Sequence, residues 1–165
     1  MASARQKRAL EAGAKAPGVS LRGLDSTQSS LDQLRAASPV LLVFFKVSCP
    51  TCQYALPFLE RIHREADRSR VAMYVVSQDD AEATLEFNAE FGITAPTLLD
   101  PEEESYPASN AFSLTNVPSM FFIEKDGRIS WASVGFSKKD LLQLSRLLDV
   151  EVVRPGDYVP EWKAG

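Results

Sequence analysis

The fold is decided by residues 39–57, which read PVLLVFFKVSCPTCQYALP. The stretch begins with an almost wholly apolar run, rich in Val and Phe, that lacks the alternation of a strand with one wet face. Such a run is typical of a central strand covered on both faces. The two cysteines of this 165-residue chain, Cys49 and Cys52, follow at once, with Pro50 and Thr51 between them.

The order of these residues predicts redox chemistry. A strand that ends near Val47 and turns into a helix at Pro50 places Cys49 at the helix N-terminus. Proline suits the first helical position because no amide partner is required there. The unpaired amides and the helix dipole favour a thiolate over a thiol. We therefore expect Cys49 to be the attacking nucleophile and Cys52, one turn further on, to be the resolving cysteine that releases a mixed disulfide.

Two other interpretations of the cysteine pair are a zinc site and an inert pair of core thiols. Structural zinc usually takes four ligands. Besides the cysteines, the chain offers one histidine, His63, which lies on the same predicted helix, roughly 20 Å from Cys49 by helix rise. One chain therefore does not close a tetrahedral site, and we expect neither a metal nor a cofactor. His63 is expected to be a surface residue of the helix.

The remaining pattern alternates strands and helices before it ends in a hairpin and a helix. The predicted elements are a hairpin over 17–30, a strand over 71–77, a helix over 79–92, a short strand over 94–100, a hairpin over 119–135 and a helix over 137–150. The early alternation of strands and helices requires parallel pairing through crossover helices, and the late hairpin adds antiparallel strands. We therefore expect an α/β fold with a mixed sheet. We divide the chain into a lead-in over 1–16, a domain over 17–150 and a C-terminal tail over 151–165, where Tyr158 and Trp162 suggest some packing.

Composition excludes several classes of function. The net charge of −4 offers no basic surplus for nucleic acid. The longest apolar runs, such as 39–45, are far short of the ~20 residues that span a bilayer. The first residues lack the apolar core of a signal peptide, which favours a cytoplasmic location, with a periplasmic one as the alternative if the sequence is trimmed.

Taken in order, several motifs resemble the thioredoxin superfamily over roughly residues 14–148. They are Cys49-Pro50-Thr51-Cys52, Pro57 in the helix that follows, Val117-Pro118, FFIEKDGRI at 121–129 and then Gly135. The chain is most similar to the larger branch that contains thiol-specific antioxidant proteins and cytochrome-maturation oxidoreductases. The lead-in AKAPGVSLRGLDS and the segment over 77–101 are also like that branch. The resemblance implies a three-layer α/β/α sandwich with a mixed central sheet, an N-terminal hairpin extension and an inserted strand–helix segment.

The resemblance also implies a thiol–disulfide oxidoreductase that reduces or exchanges disulfides of proteins or small molecules and is reset by an electron-donating reductase. Spacing alone favours an ordinary strand-entry proline at Pro118, whereas the family has a cis proline there. In the family, the residue before it, here Val117, offers backbone hydrogen bonds to an extended substrate. Ser48, Pro50 and Thr51, which flank the nucleophile, complete the expected substrate-binding set.

Two positions depart from the thioredoxin pattern. Ser48 stands where thioredoxins have an aromatic residue before the first cysteine. Val43 stands where they bury a carboxylate that serves the resolving cysteine, so the usual proton acceptor is missing at that place. Glu86, Glu90, Asp79 or a water molecule remain as alternatives.

Two further functions occur within the same fold. A thiol-dependent peroxidase of the peroxiredoxin type resembles the pattern PxxxTxxC, but Lys46 stands three residues before Cys49. Copper-delivery proteins of this fold resemble CxxxC proteins with a distant histidine, and His63 is too close in sequence. The oxidoreductase is therefore the leading hypothesis and the peroxidase the alternative.

Overall fold

The computed structural model describes residues 8–165, so the first seven residues of the predicted lead-in lie outside it. The strands are β1 (Ser20–Gly23), β2 (Gln28–Ser30), β3 (Val40–Phe45), β4 (Ala72–Ser77), β5 (Thr97–Leu99), β6 (Ser119–Ile123), β7 (Ile129–Val134), β8 (Phe136–Ser137) and β9 (Trp162–Lys163). The helices are α1 (Leu31–Leu34), α2 (Pro50–Glu65), α3 (Ala81–Phe91), α4 (Pro107–Ala111) and α5 (Lys138–Leu148). The predicted hairpins, strands and helices are therefore present, and the short elements α1, α4, β8 and β9 are additional to them.

Seven of the strands form one mixed sheet in the order β2-β1-β5-β4-β3-β6-β7. Strands β3, β4 and β5 are mutually parallel, because α2 and α3 provide the crossover connections. The hairpin of β6 and β7 adds antiparallel strands on one side, and the hairpin of β1 and β2 adds them on the other. The predicted N-terminal hairpin extension and mixed sheet are thus confirmed.

The central strand β3 explains why its sequence does not alternate. All six of its residues are buried. Leu41, Val43 and Phe45 face a core that α2, α3 and α5 complete. The alternate side chains of the strand face a second core, which α1 and α4 complete. Because both faces are covered, apolar residues are required at every position, and the three-layer α/β/α sandwich is confirmed.

The segments before and after the predicted domain both contact it. Backbone amides of Leu10, Gly13 and Ala16 donate hydrogen bonds to carbonyls of the α4 end and the β6–β7 hairpin, at 2.8 to 3.1 Å. In the tail, β9 pairs antiparallel with β8. Tyr158 and Trp162 are 80% and 65% exposed, so the tail is not held by burial of these rings. Within residues 8–165, no helix is both long and apolar enough to cross a membrane.

Candidate active site

The turn between β3 and α2 places Cys49 at the helix N-terminus, as predicted. Cys49 has an extended conformation and is the N-cap, and Pro50 occupies the first turn. The backbone amide of Cys49 donates to the carbonyl of Lys46 at 3.1 Å, which closes the turn. The Sγ atom of Cys49 accepts the backbone N–H of Cys52 at 3.1 Å. A side-chain sulfur therefore satisfies one of the amides that every helix leaves unpaired at its start, and a thiolate is the stronger acceptor there.

Cys52 lies beneath Cys49 and is fully buried. Burial raises the pKa of the Cys52 thiol far above its model-peptide value, and the hydrogen bond with Cys49 raises it further. The negative charge of Asp79 contributes in the same direction. Both cysteines are free thiols in this structure. The half-buried Cys49 is thus the accessible sulfur of the pair, and the buried Cys52 holds its proton.

The loop before β6 supplies the third part of the site. The Val117–Pro118 peptide bond is cis, as the resemblance implied. Strand β6 runs antiparallel to β3, with Ser119 opposite Phe44, so the start of β6 lies beside the end of β3. The Cys49 thiol therefore lies 3.6 Å from the carbonyl oxygen of Val117 and donates to it. Pro118 is buried and Val117 is half-buried.

The other predicted substrate contacts surround Cys49 in different environments. Ser48 and Pro50 are exposed beside the sulfur. Thr51 is buried, and its hydroxyl donates a hydrogen bond to the carbonyl of Ala164 in the tail. Gly165 then lies against Val117, where a Cβ atom would overlap the carbonyl oxygen. Sequence reasoning missed both tail residues, since small residues in a segment without periodicity carry no signal for such a contact.

Among the proposed proton acceptors, the fold separates Asp79 from the two glutamates. Glu86 and Glu90 are exposed on α3. Asp79 follows β4, which is parallel to β3, so it lies beside the strand end that leads to the cysteines. Its Oδ2 accepts the backbone N–H of Val47 at 2.8 Å, and its charge acts on Cys52. Val43, at the position of the family's carboxylate, packs in the apolar core.

His63 lies on α2 as predicted but is half-buried rather than fully exposed. Burial and the nearby Arg68 guanidinium lower its pKa. Its Nδ1 lies 3.1 Å from the Arg68 side chain. Across residues 8–165, no three His, Cys, Asp or Glu side chains converge in a metal-binding arrangement.

Comparison with known proteins places this chain in a family. The model of the AhpC/TSA family matches residues 12–132. The thiol–disulfide oxidoreductase ResA of Geobacillus thermodenitrificans is 26% identical over 140 residues, which cover 84% of this chain and 78% of that protein. The thioredoxin-like protein YneN of Bacillus subtilis is 28% identical over 139 residues, covering 81% of this chain and 78% of that protein.

Solved structures agree with the fold. A structure of a putative thiol:disulfide interchange protein DsbE from Chlorobium tepidum superposes with a TM-score of 0.73 at 21% identity, covering 84% of this chain and 95% of that one. The peroxidoxin BcpB of Mycobacterium tuberculosis superposes with a TM-score of 0.69 at 17% identity, covering 85% and 95%. The family match, the relatives and the paired cysteines lead to one conclusion: the chain belongs to the AhpC/TSA family of the thioredoxin superfamily and is a thiol–disulfide oxidoreductase.

Proposed function

We propose that the protein reduces disulfides through Cys49 and Cys52 in two displacement steps. The Cys49 thiolate attacks one sulfur of the substrate disulfide, forms a mixed disulfide and expels the other substrate sulfur as a thiolate. Cys52 then loses its proton and attacks the Sγ of Cys49. This second step releases the remaining substrate thiolate and leaves a Cys49–Cys52 disulfide. Two electrons have passed to the substrate, and the same residues carry the reverse exchange.

The observation that carries this assignment is the asymmetry of the two sulfurs. Cys49 is half-buried at a helix N-terminus, with its Sγ 3.1 Å from a backbone amide, which stabilises negative charge on that sulfur. Cys52 is fully buried and its pKa is raised, so it stays protonated until a mixed disulfide has formed above it. Sequential attack and release require a partly exposed nucleophile and a buried partner one turn away.

We assign proton acceptance in the second step to Asp79. Its carboxylate is half-buried, is oriented by the Val47 amide and acts electrostatically on Cys52. A carboxylate held beside a buried thiol can receive its proton as the sulfur becomes nucleophilic. On the substrate side, we assign to the Val117 backbone the binding of an extended segment, with the exposed Ser48 and Pro50 at its rim.

Trapping of the intermediate tests the order of attack. Reduced Cys52→Ala protein incubated with an oxidised peptide disulfide should accumulate a mixed disulfide on Cys49, visible as one added peptide mass. Cys49→Ser protein, which keeps Cys52, should accumulate none because its remaining sulfur is buried. Equal trapping by both variants, or trapping only through Cys52, would overturn the assigned roles.

The donor and the substrates are proposed from the chemistry alone. Each cycle leaves a disulfide, so an electron-donating reductase or a small dithiol must restore the thiols, and both protein and small-molecule disulfides are candidate substrates.

Purified protein should consume hydrogen peroxide far more slowly than it reduces a disulfide. Peroxide consumption at the faster rate would favour the peroxidase alternative. We keep the cytoplasmic location as a prediction, which fractionation of expressing cells checks.

A further inference from the structure

Residues 161–165, here named the strap, lie across the active site. Lys138 donates its backbone N–H to the Glu161 carbonyl at 3.2 Å, at the point where the strap begins. Strand β9 within the strap then pairs with β8. Further along, the carbonyl of Ala164 accepts the Thr51 hydroxyl, and Gly165 reaches Val117. The strap therefore connects the start of α5, the first turn of α2 and the loop that carries the cis proline.

The strap ends at the same carbonyl that the nucleophile contacts. The Val117 oxygen lies 3.6 Å from the Cys49 sulfur, and it also faces Gly165. A disulfide that approaches Cys49 carries flanking backbone through this place. An extended substrate segment and the strap therefore exclude one another along Val117 and Thr51.

The contacts of the strap are of a kind that another peptide can reproduce. All five of its residues are exposed, and its ordered contacts use main-chain atoms. Addition of an extended segment to a strand edge gives affinity through main-chain hydrogen bonds that any sequence supplies. Only the residue beside Val117 is restricted, because a Cβ atom at Gly165 would also come within 2.7 Å of the Val117 carbonyl carbon.

We propose that the strap is an internal competitor that occupies the substrate groove until an extended disulfide-bearing segment displaces it. The proposal rests on the assigned role of Val117 as a substrate contact. It also defines the preferred substrate: an unfolded or extended protein segment, paired along β8, with a small residue beside Val117.

The part of the tail just before the strap keeps it close when it is displaced. Arg61 forms an ion pair with Asp157 at 2.6 Å, and Tyr54 donates its hydroxyl to the carbonyl of Tyr158. These anchors hold the chain against α2, so the strap rebinds as an intramolecular ligand at high effective concentration. The strap forms only a few main-chain hydrogen bonds, each of modest net strength. Competition from the strap should therefore raise the KM for the substrate by about tenfold.

The test compares the full chain with a variant that lacks residues 161–165 and so keeps the anchors. In reduction of denatured-protein disulfides with excess dithiothreitol, removal of the strap should lower KM about tenfold and leave kcat unchanged. The alkylation rate of Cys49 by iodoacetamide should rise in parallel. Lys163→Ala is the matched control: it removes an exposed side chain, keeps the strap backbone and should behave as the parent protein.

Two additional measurements keep the proposal testable if the truncated variant folds poorly. Gly165→Val in the full chain places a side chain against the Val117 carbonyl, so it should release the strap and raise the alkylation rate. A synthetic peptide of residues 161–165 should inhibit the Gly165→Val protein competitively with the protein substrate. The same peptide carrying Gly165→Val should not inhibit it.

Unchanged KM and alkylation rate in both strap variants, with no inhibition by the peptide, would overturn the proposal. That result differs from a failure of the proposed chemistry. In the first case all variants still reduce disulfides, whereas in the second the Cys52→Ala protein traps no intermediate at Cys49.

Discussion

Replacing Asp79 with asparagine separates the two effects of the carboxylate beside Cys52. The negative charge of Asp79 adds to the burial and the Cys49 contact that raise the pKa of the Cys52 thiol. If this charge were its whole effect, Asp79→Asn would lower that pKa and speed the release of the mixed disulfide. If Asp79 accepts the proton, the same substitution removes the acceptor and slows the release.

We expect slower release by about 100-fold, the lower end of the usual contribution of a general base. The lower end applies because Asp79 is only half-buried, so water can partly replace it. The fold should be preserved, since an asparagine oxygen can still accept the Val47 N–H that now lies 2.8 Å from the carboxylate. Asp80→Asn is the matched control: Asp80 is exposed and caps α3 by accepting the Ala83 amide, a role that asparagine fills equally well.

The two steps separate in a stopped-flow reaction with an aromatic disulfide whose released thiolate is coloured. The first equivalent of colour reports attack by Cys49, and the second reports displacement by Cys52. Asp79→Asn should slow the second phase at neutral pH and leave the first nearly unchanged, while Asp80→Asn should change neither. The deficit should shrink at high pH, where hydroxide removes the Cys52 proton. A second phase as fast as or faster than that of the parent protein would refute proton acceptance by Asp79.

Three further predictions concern stability of the reduced protein. Cys49→Ala should cost about 1 kcal/mol in urea unfolding because the Cys52 amide loses its acceptor, whereas Cys49→Ser should cost less; equal losses would contradict the cap. The pKa of Cys52 is raised above its unfolded value of 9.0, so its contribution to the free energy of unfolding is fully present below pH 9.0 and is lost as pH rises, by at most about 1.4 kcal/mol per pH unit. This pH dependence should be absent from Cys52→Ala, and an equal slope in both proteins would show that Cys52 is not its source. The buried Glu60 carboxylate accepts the Thr94 amide at 2.8 Å, so Glu60→Gln should lower the free energy of unfolding by about 2 kcal/mol. Glu65→Gln, at a half-exposed position of the same helix, should lower it by less than about 1 kcal/mol, and similar losses would show that burial of Glu60 adds nothing.

Local sequence was sufficient wherever the determining contacts lie within one turn or one strand. The absence of alternation in residues 40–45 predicted a strand covered on both faces, and the structure buries every residue of it. Pro50 after Cys49 predicted the start of α2 with Cys49 at its N-terminus, and the structure has this arrangement. The cis bond at Pro118 came from the family resemblance, since spacing alone favoured an ordinary proline.

Local sequence does not show which distant residues meet Cys49: the family resemblance suggested Val117, and only the tertiary structure supplied the contacts. Val117 stands 68 residues beyond Cys49, and only the placement of β6 beside β3 brings its carbonyl to the sulfur. Sequence offered Asp79, Glu86 and Glu90 equally, but parallel pairing of β4 with β3 carries Asp79 to the cysteines, while α3 leaves both glutamates in solvent. The tail aromatics suggested packing, yet both rings are exposed, and the tail is held by the Arg61–Asp157 ion pair and by main-chain contacts. Long-range strand order and main-chain pairing depend on the whole chain and carry no local periodicity, so the sequence of any one segment does not specify them.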